Sequence, residues 1–554
     1  MKTVQEYDYI IVGGGSSGCV VAARLAEQHA GSIVLLETGD ATDRNPETMQ
    51  ADGFTDAFAN DNVMWDRLSA PQQDCRKRSL YLGSGTGMGG SGSVNGMVYT
   101  RGDKRDYDQW PSGWKWKDIA PFFTEVETRL KVKPRAPTEY TETCIEAAKN
   151  AGFQQKDGLL DGDLCGFLGY QTMNYDGDQR RSSYMSFVRG QSLDNLTQIT
   201  NARATRILFE NKKAVGVEYI EKGIRSTLRA RKEVILCAGA LETPKLLMLS
   251  GVGPNDQLAE FGIPEVLHVP SIGQNLQDHP NVCVFYKGRK GSDCFYPQLY
   301  GFHRVNAQLP LPEDQADTCY VFYSAGSSLK ASLKRMLPAV LLPKSVFYSP
   351  RLRRWLRKAV DLVYGITPIA NMLATIYGVV VILGKPQSRG ELRLASADPA
   401  IQAHIDPAYF THPDDMETMI AGVEKAKLIA QQASLRRWGN TGLVTAARTE
   451  NKVKIQRWIE SAVMTTFHYT GTCKMGEDEH SPVDTTLKLK GIEGLRIADA
   501  SVIPEIAVSA QNAPSMMIGY RAAEFIMASS GATSVNKRTP KKAKNKRSVE
   551  GKVA

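Results

Sequence analysis

The turn Gly13-Gly14-Gly15-Ser16-Ser17-Gly18 constrains the fold of this chain more than any other feature. It follows Tyr7 to Val12, which alternates weakly and then becomes wholly apolar, as a buried parallel strand does. Ser16 to Gln28 has helical spacing through Val20, Val21 and Leu25, and Ser32 to Glu37 reads as the next strand. In such a β-turn-α-β unit Gly13 permits the tight turn, Gly15 lets backbone approach a pyrophosphate, and Gly18 allows helix to pack closely on strand. The helix N-terminus, starting at Ser16, then faces the phosphates. Glu37, nineteen positions beyond Gly18, stands where a carboxylate accepts hydrogen bonds from an adenosine ribose. A lone GxGxxG is an ordinary glycine turn, but strand, helix, strand and carboxylate together describe a dinucleotide site.

With 554 residues and 42% hydrophobic composition, the chain exceeds the size at which one core stops growing, so a second lobe is expected. Short strands are predicted over Ala204 to Phe209, Ala214 to Tyr219, Ser226 to Ala230 and Glu233 to Cys237. This meander and a return at the C-terminus imply a discontinuous nucleotide domain over residues 5–110, 195–283 and 488–528. The substrate domain then spans 111–194 and 284–487, with an insert at 327–374.

The net charge of +9 comes from two places. Ser327 to Val360 holds nine basic residues and no acidic one, and the tail from Ser534 holds eight basic residues against Glu550. The rest of the chain is net acidic, which argues against a nucleic-acid partner. The tail composition predicts a disordered segment over 529–554. Nine cysteines without CxxC pairs argue against a disulfide framework, and no histidine spacing suggests a metal. The N-terminus lacks a secretory signal's apolar region, so a cytoplasmic location is expected, at most peripheral on the cytoplasmic membrane face.

Cys237-Ala-Gly-Ala-Leu-Glu-Thr-Pro-Lys-Leu-Leu-Met-Leu-Ser-Gly-Val-Gly253 resembles the second signature of the glucose-methanol-choline (GMC) oxidoreductases. Gly273-Gln-Asn-Leu-Gln-Asp-His279, His468-Tyr-Thr-Gly-Thr-Cys-Lys-Met-Gly476 and Leu495 to Ser501 extend the resemblance, nearest to the choline-dehydrogenase and aliphatic-alcohol-dehydrogenase branches. The resemblance implies an α/β protein: a Rossmann-like FAD lobe and an α+β substrate lobe on an antiparallel sheet. It also implies hydride transfer from an alcohol carbon to flavin N5. Residue by residue, Gly13, Gly15, Ser16 and Gly18 match the pyrophosphate turn, Glu37 the ribose contact, and Ala204 the adenine contact. Gly89, Gly90 and Asn95 match the loop beside the isoalloxazine, and Asp499 and Asn512 match positions near the ribityl chain and pyrimidine edge. Val94 stands where some members tether FAD through a histidine, so non-covalent FAD is expected.

The chain departs from the family pattern twice. Gly83-Ser-Gly-Thr-Gly-Met-Gly-Gly90 lacks the cations that usually precede the paired glycines, which predicts a softer, less positive loop. His468 matches the catalytic histidine, the base that alcohol oxidation needs, but its usual His or Asn partner falls on Ala510. Gln511 is the adjacent candidate, with Ser509 as the other polar neighbour. Leu362 to Gly384 has no charge over twenty-three residues, long enough for a membrane span. Thr375 to Leu383 reads as a strand, however, so the basic and apolar insert reads better as a lid: one docked on a membrane, or a cytosolic lid or oligomer contact. The expected function is oxidation of an apolar primary alcohol to the aldehyde, with an acceptor such as a quinone. Choline dehydrogenation, a non-redox lyase or photodecarboxylase, and a binding protein that keeps FAD as a remnant are the rivals.

Overall fold

The computed structural model describes residues 4–529, so the tail expected over 529–554 lies outside the described residues save for Ser529. Gln5–Val12 pairs in parallel with Ile33–Leu36 on one side and Ile224–Leu236 on the other, and Leu196–Ile199 continues the sheet in parallel. Ile10 to Val12, Ile33 to Leu36 and Val234 to Leu236 are all buried, because both faces of these strands are covered. Helix Ser16–Glu27 packs on the C-terminal helix Asn512–Ser529.

Two of the predicted meander strands are one. Ile224–Leu236 pairs antiparallel with Lys213–Glu221 along its first half and in parallel with Leu495–Ile497 over its last three residues. The charged pair Arg231-Lys232, between the two expected strands, reads as a break in sequence. In the fold it is exposed strand, and Arg231 pairs with Asp8 at 3.1 Å.

The second sheet has eight strands. Pro280–Lys287, Ile376–Leu383, Thr318–Ser324, Leu299–His303 and Phe167–Tyr170 follow one another antiparallel, and Met464–Thr465 adds to the edge of Pro280–Lys287. Ile376–Leu383 is thus a central strand. No described helix is long and apolar enough to cross a membrane.

The insert forms four helices: Gly326–Leu341, Lys344–Phe347, Pro350–Gly365 and Thr367–Ala374. The first and third pack together, and the first also lies on Phe54–Ala59 of the cofactor lobe. A charge cluster fastens this contact. Arg335, fully buried, reaches Asp61 at 2.8 Å, Asp66 at 2.9 Å and the Phe58 carbonyl at 2.7 Å. Arg353 joins both aspartates, and Arg357 pairs with Asp61. Burial alone would raise Asp61, but Arg357, Arg335 and Arg353 outweigh it and bring the carboxyl down to about 2. Arg335→Met, which removes one side of a buried pair, is expected to cost about 3 kcal/mol. Thermal melting and limited proteolysis measure it: the melting point falls and the first cuts land in 326–374. An unchanged melting point would mean that the cluster adds nothing net.

Candidate active site

A cavity of about 560 Å³ runs between the two sheets, with the glycine turn at one end and His468 at the other. At the turn, a Cβ on Gly13, whose φ is +107°, would stand 2.4 Å from the Cys237 carbonyl oxygen, and one on Gly18 would stand 1.9 Å from that of Gly13. A Cβ on Gly15 would meet nothing within 4 Å, since it would project into the cavity. The helix that starts at Ser16 has neither a side-chain cap nor an acidic residue in its first turn, so its N–H groups are free for a phosphate. This cradle fits the pyrophosphate of FAD.

The other predicted contacts border the same space. Glu37 lines the cavity, and its carboxylate accepts the N–H groups of Gly14 and Gly39 at 2.8 Å and of Gly87 at 2.9 Å. Burial nevertheless pushes its pKa up. It therefore ties three loops together at the nucleotide end. Ala204, Gly90, Val94 and Asn95 also line the cavity. Asn95 accepts from Arg180 at 2.8 Å and from the Met97 N–H at 3.0 Å, while the Gly89 N–H binds the Gly14 carbonyl at 2.7 Å. Asp499 accepts from Gly239, Thr243 and Ser501, which makes it a cap as well as a lining residue. The Ser16 hydroxyl donates to Asn512 Oδ1 at 2.7 Å, closing the C-terminal helix onto the glycine turn.

The cation-poor loop Gly83 to Gly90 is not left without positive charge. Arg67, buried and lining the cavity, donates to Ser84 Oγ at 2.7 Å and pairs with Glu242 at 2.8 Å. No motif marked Arg67 in the sequence.

His468 lines the far end, and its ring partner is His279: the two Nδ1 atoms lie 2.9 Å apart and the rings meet edge to face at 87°. Strand pairing brings them together, since Pro280 lies opposite Thr465 and the Thr466 N–H binds the His279 carbonyl at 3.0 Å. Asp278, the preceding residue, accepts the His468 backbone N–H at 2.8 Å and the hydroxyls of Thr465 and Tyr409. One dipeptide thus holds both the main chain and the ring of His468. Phe467, just before it, has a φ of +64°, a strained value for an aromatic residue, with its N–H on Thr465 Oγ1 at 2.7 Å.

His279 holds the His468 ring and is not among the residues lining the cavity, so it does not take the alkoxide-orienting role expected of Gln511. That side chain lines the cavity, but its amide nitrogen is turned back onto the carbonyls of Ala507 and Ser509. Gln511 Oε1 and Ser509 Oγ are buried without a hydrogen-bond partner among the described residues. Ala510 lines the cavity and adds only space.

Burial pulls His468 down to about 3, and burial, His468 and Lys385 pull His279 well below its usual value. Both rings stay neutral at neutral pH, so one Nδ1 carries the shared proton and Nε2 of His468 is the nitrogen left for the cavity. Because the folded pKa is lowered, the basic form persists as pH falls. The acid limb of kcat/KM against pH is expected well below 6.5, the value of an exposed histidine. A limb at or above 6.5 would contradict this.

Comparison with known proteins gives consistent results. The GMC oxidoreductase family profile matches residues 7–281 with its N-terminal part and 386–519 with its C-terminal part. An alcohol dehydrogenase [acceptor] of Pseudomonas putida is 33% identical over 94% of this chain and 96% of its own length. An oxygen-dependent choline dehydrogenase of Pectobacterium carotovorum is 30% identical over 94% of each. Among solved structures, the formate oxidase of Aspergillus oryzae superposes with a TM-score of 0.81 at 24% identity over 96% of this chain and 99% of its own. A pyridoxine 4-oxidase superposes with a TM-score of 0.80 at 24% identity, over 93% and 98%.

Proposed function

Since the chain belongs to the GMC oxidoreductases, FAD-binding enzymes that act on CH–OH donors, we propose that its substrate is an apolar primary aliphatic alcohol, oxidised to the aldehyde with FAD held non-covalently. The observation that carries this is the apolar lining shared with His468: Phe54, Phe58, Tyr300, Val321, Val380, Ile382 and Phe467 line the same cavity, and Phe58 meets Phe467, the residue before His468, edge-on. The acidic lining residues Glu37, Glu242 and Asp499 are at the cofactor end, already bonded to backbone or to Arg67. A quaternary ammonium would have the four aromatic rings to stack on but no free carboxylate among the described lining residues, whereas an alkyl chain is matched by the aliphatic and aromatic groups alike. Val94, at the position of the tethering histidine, offers no nucleophile.

FAD supplies the hydride acceptor. The chain's own part is to take the hydroxyl proton and exclude water. His468 Nε2 accepts that proton, His279 fixes the ring's tautomer and tilt, and Asp278 fixes its main chain. The apolar walls desolvate the alcohol. For the acceptor the proposal is a quinone at the cytoplasmic face of a membrane. The acceptor-dependent name of the Pseudomonas relative supports this, and the oxygen dependence of the choline-type relative is the competing precedent.

The test is anaerobic mixing of oxidised protein with a homologous series of primary alcohols and with choline, followed by the visible flavin absorbance. Bleaching that quickens with alkyl length is expected. Bleaching by choline alone would replace the substrate, and no bleaching by any alcohol would end the reading. Reoxidation by a quinone faster than by oxygen tests the acceptor.

A further inference from the structure

The outer face of helix Pro350–Gly365 has no partner within the described residues. Its inner face, Arg353, Leu356, Arg357 and Val360, is spent on the aspartate cluster and on the helix beneath. The outer face follows at helical spacing: Arg351, Arg354, Trp355, Lys358 and Leu362, all exposed. Trp355 is 67% and Leu362 72% exposed, and Val340, at the end of the neighbouring helix, is 73% exposed. Val363, Ile366 and Met372 extend the patch. Of the nearby cations, Lys330 and Lys334 pair with Asp361, whereas Arg351, Arg354 and Lys358 pair with no carboxylate among the described residues.

We propose that this face docks on an anionic lipid bilayer, with Trp355 and Leu362 in the headgroup boundary and Arg351, Arg354 and Lys358 on lipid phosphates. An amphipathic helix with cations beside exposed aromatic and aliphatic side chains is the chemistry of interfacial binding. A second copy fits the face less well: a twofold contact would set the same three cations against themselves. Beneath the face, helix Gly326–Leu341 lines the substrate cavity with Ala331 and Ser332. Docking therefore brings the cavity roof to the lipid in which an apolar alcohol and a quinone dissolve. That consequence rests on the proposed function, whereas the docking itself is measured without turnover.

The FAD-loaded full chain is sedimented with vesicles of phosphatidylcholine alone or mixed with phosphatidylglycerol. Binding to the anionic vesicles, weakened by salt, is expected. Each near-surface cation adds about fivefold to partitioning, so the triple variant Arg351→Glu, Arg354→Glu, Lys358→Glu should bind at least about a hundredfold more weakly. Trp355→Ser should weaken binding with charge unchanged. Turnover of a short water-soluble alcohol and the melting point confirm that these variants fold. No binding to anionic vesicles overturns the proposal. So does binding that survives the lid substitutions and vanishes when residues 534–554 are removed, because the basic tail would then be the anchor. A lid variant that only dissociates an oligomer overturns it too and makes the face an interface between copies. If no alcohol is oxidised but docking holds, the proposed function fails and this surface stands.

Discussion

His468→Ala is expected to lower alcohol oxidation by about a thousandfold while FAD stays bound, the usual worth of a well-placed general base. The side chain touches the reacting end of the cavity and none of the cradle around Gly15, so cofactor content should not change. His279→Ala separates base from support: His468 remains, but its ring loses the 2.9 Å bond that sets tautomer and tilt. A loss of about a hundredfold is expected, the scale of a misplaced catalytic group. His279→Asn, which keeps a short polar group toward the ring, should recover part of it. Stopped-flow reduction of the protein-bound flavin measures all three. If His468→Ala keeps its rate, the assignment of the base fails. If His279→Ala is silent while His468→Ala is dead, the clamp is ornamental.

The second large effect separates folding from cofactor binding within one turn. In Gly18→Ala the new Cβ would lie 1.9 Å from the Gly13 carbonyl oxygen, and neither a central strand nor a buried helix can move aside without loss. An overpacking cost of about 3 kcal/mol is expected, with little soluble holoprotein. Gly15→Ala meets no atom of the chain, so the fold should melt near the temperature of the parent stripped of FAD. Its methyl group instead occupies the space where backbone approaches the pyrophosphate, and the purified protein should be stable and colourless. Flavin content and melting temperature of the two variants decide the point. A yellow Gly15→Ala protein with parental affinity would mean that the phosphates lie elsewhere.

The cofactor end was legible in sequence because its demands are local: a glycine that must have no Cβ, an apolar strand and a carboxylate at a fixed distance. The reacting end was legible only in part. His468 stands out through its motif, but the residue that holds its ring, His279, is brought by sheet pairing from 189 residues away, and the alkoxide-orienting group sought at Gln511 has its amide nitrogen turned back onto the backbone. The Asp-His pair was visible as letters, yet nothing local says that one residue takes the main chain and the next the ring. The basic insert shows the same limit. Its nine positive charges read as one surface, but Arg335, Arg353 and Arg357 turn inward because Asp61 and Asp66 are there to receive them. Helical spacing separates the two faces once the inner partner is known.

The hydrogen bond between Ser16 and Asn512 spans 496 positions. During synthesis the glycine turn is therefore made 496 positions before the residue that closes it. The strand Leu495–Ile497, which completes the parallel sheet, also arrives late. Until the helix that carries Asn512 is made, a nascent chain carries an open nucleotide cradle and an unpaired strand edge, a state prone to wrong pairing. FAD can act as a folding ligand only once that helix has been made. The yield of holoprotein should then follow the flavin present once the closing helix has been made, not the flavin present while the turn alone is exposed.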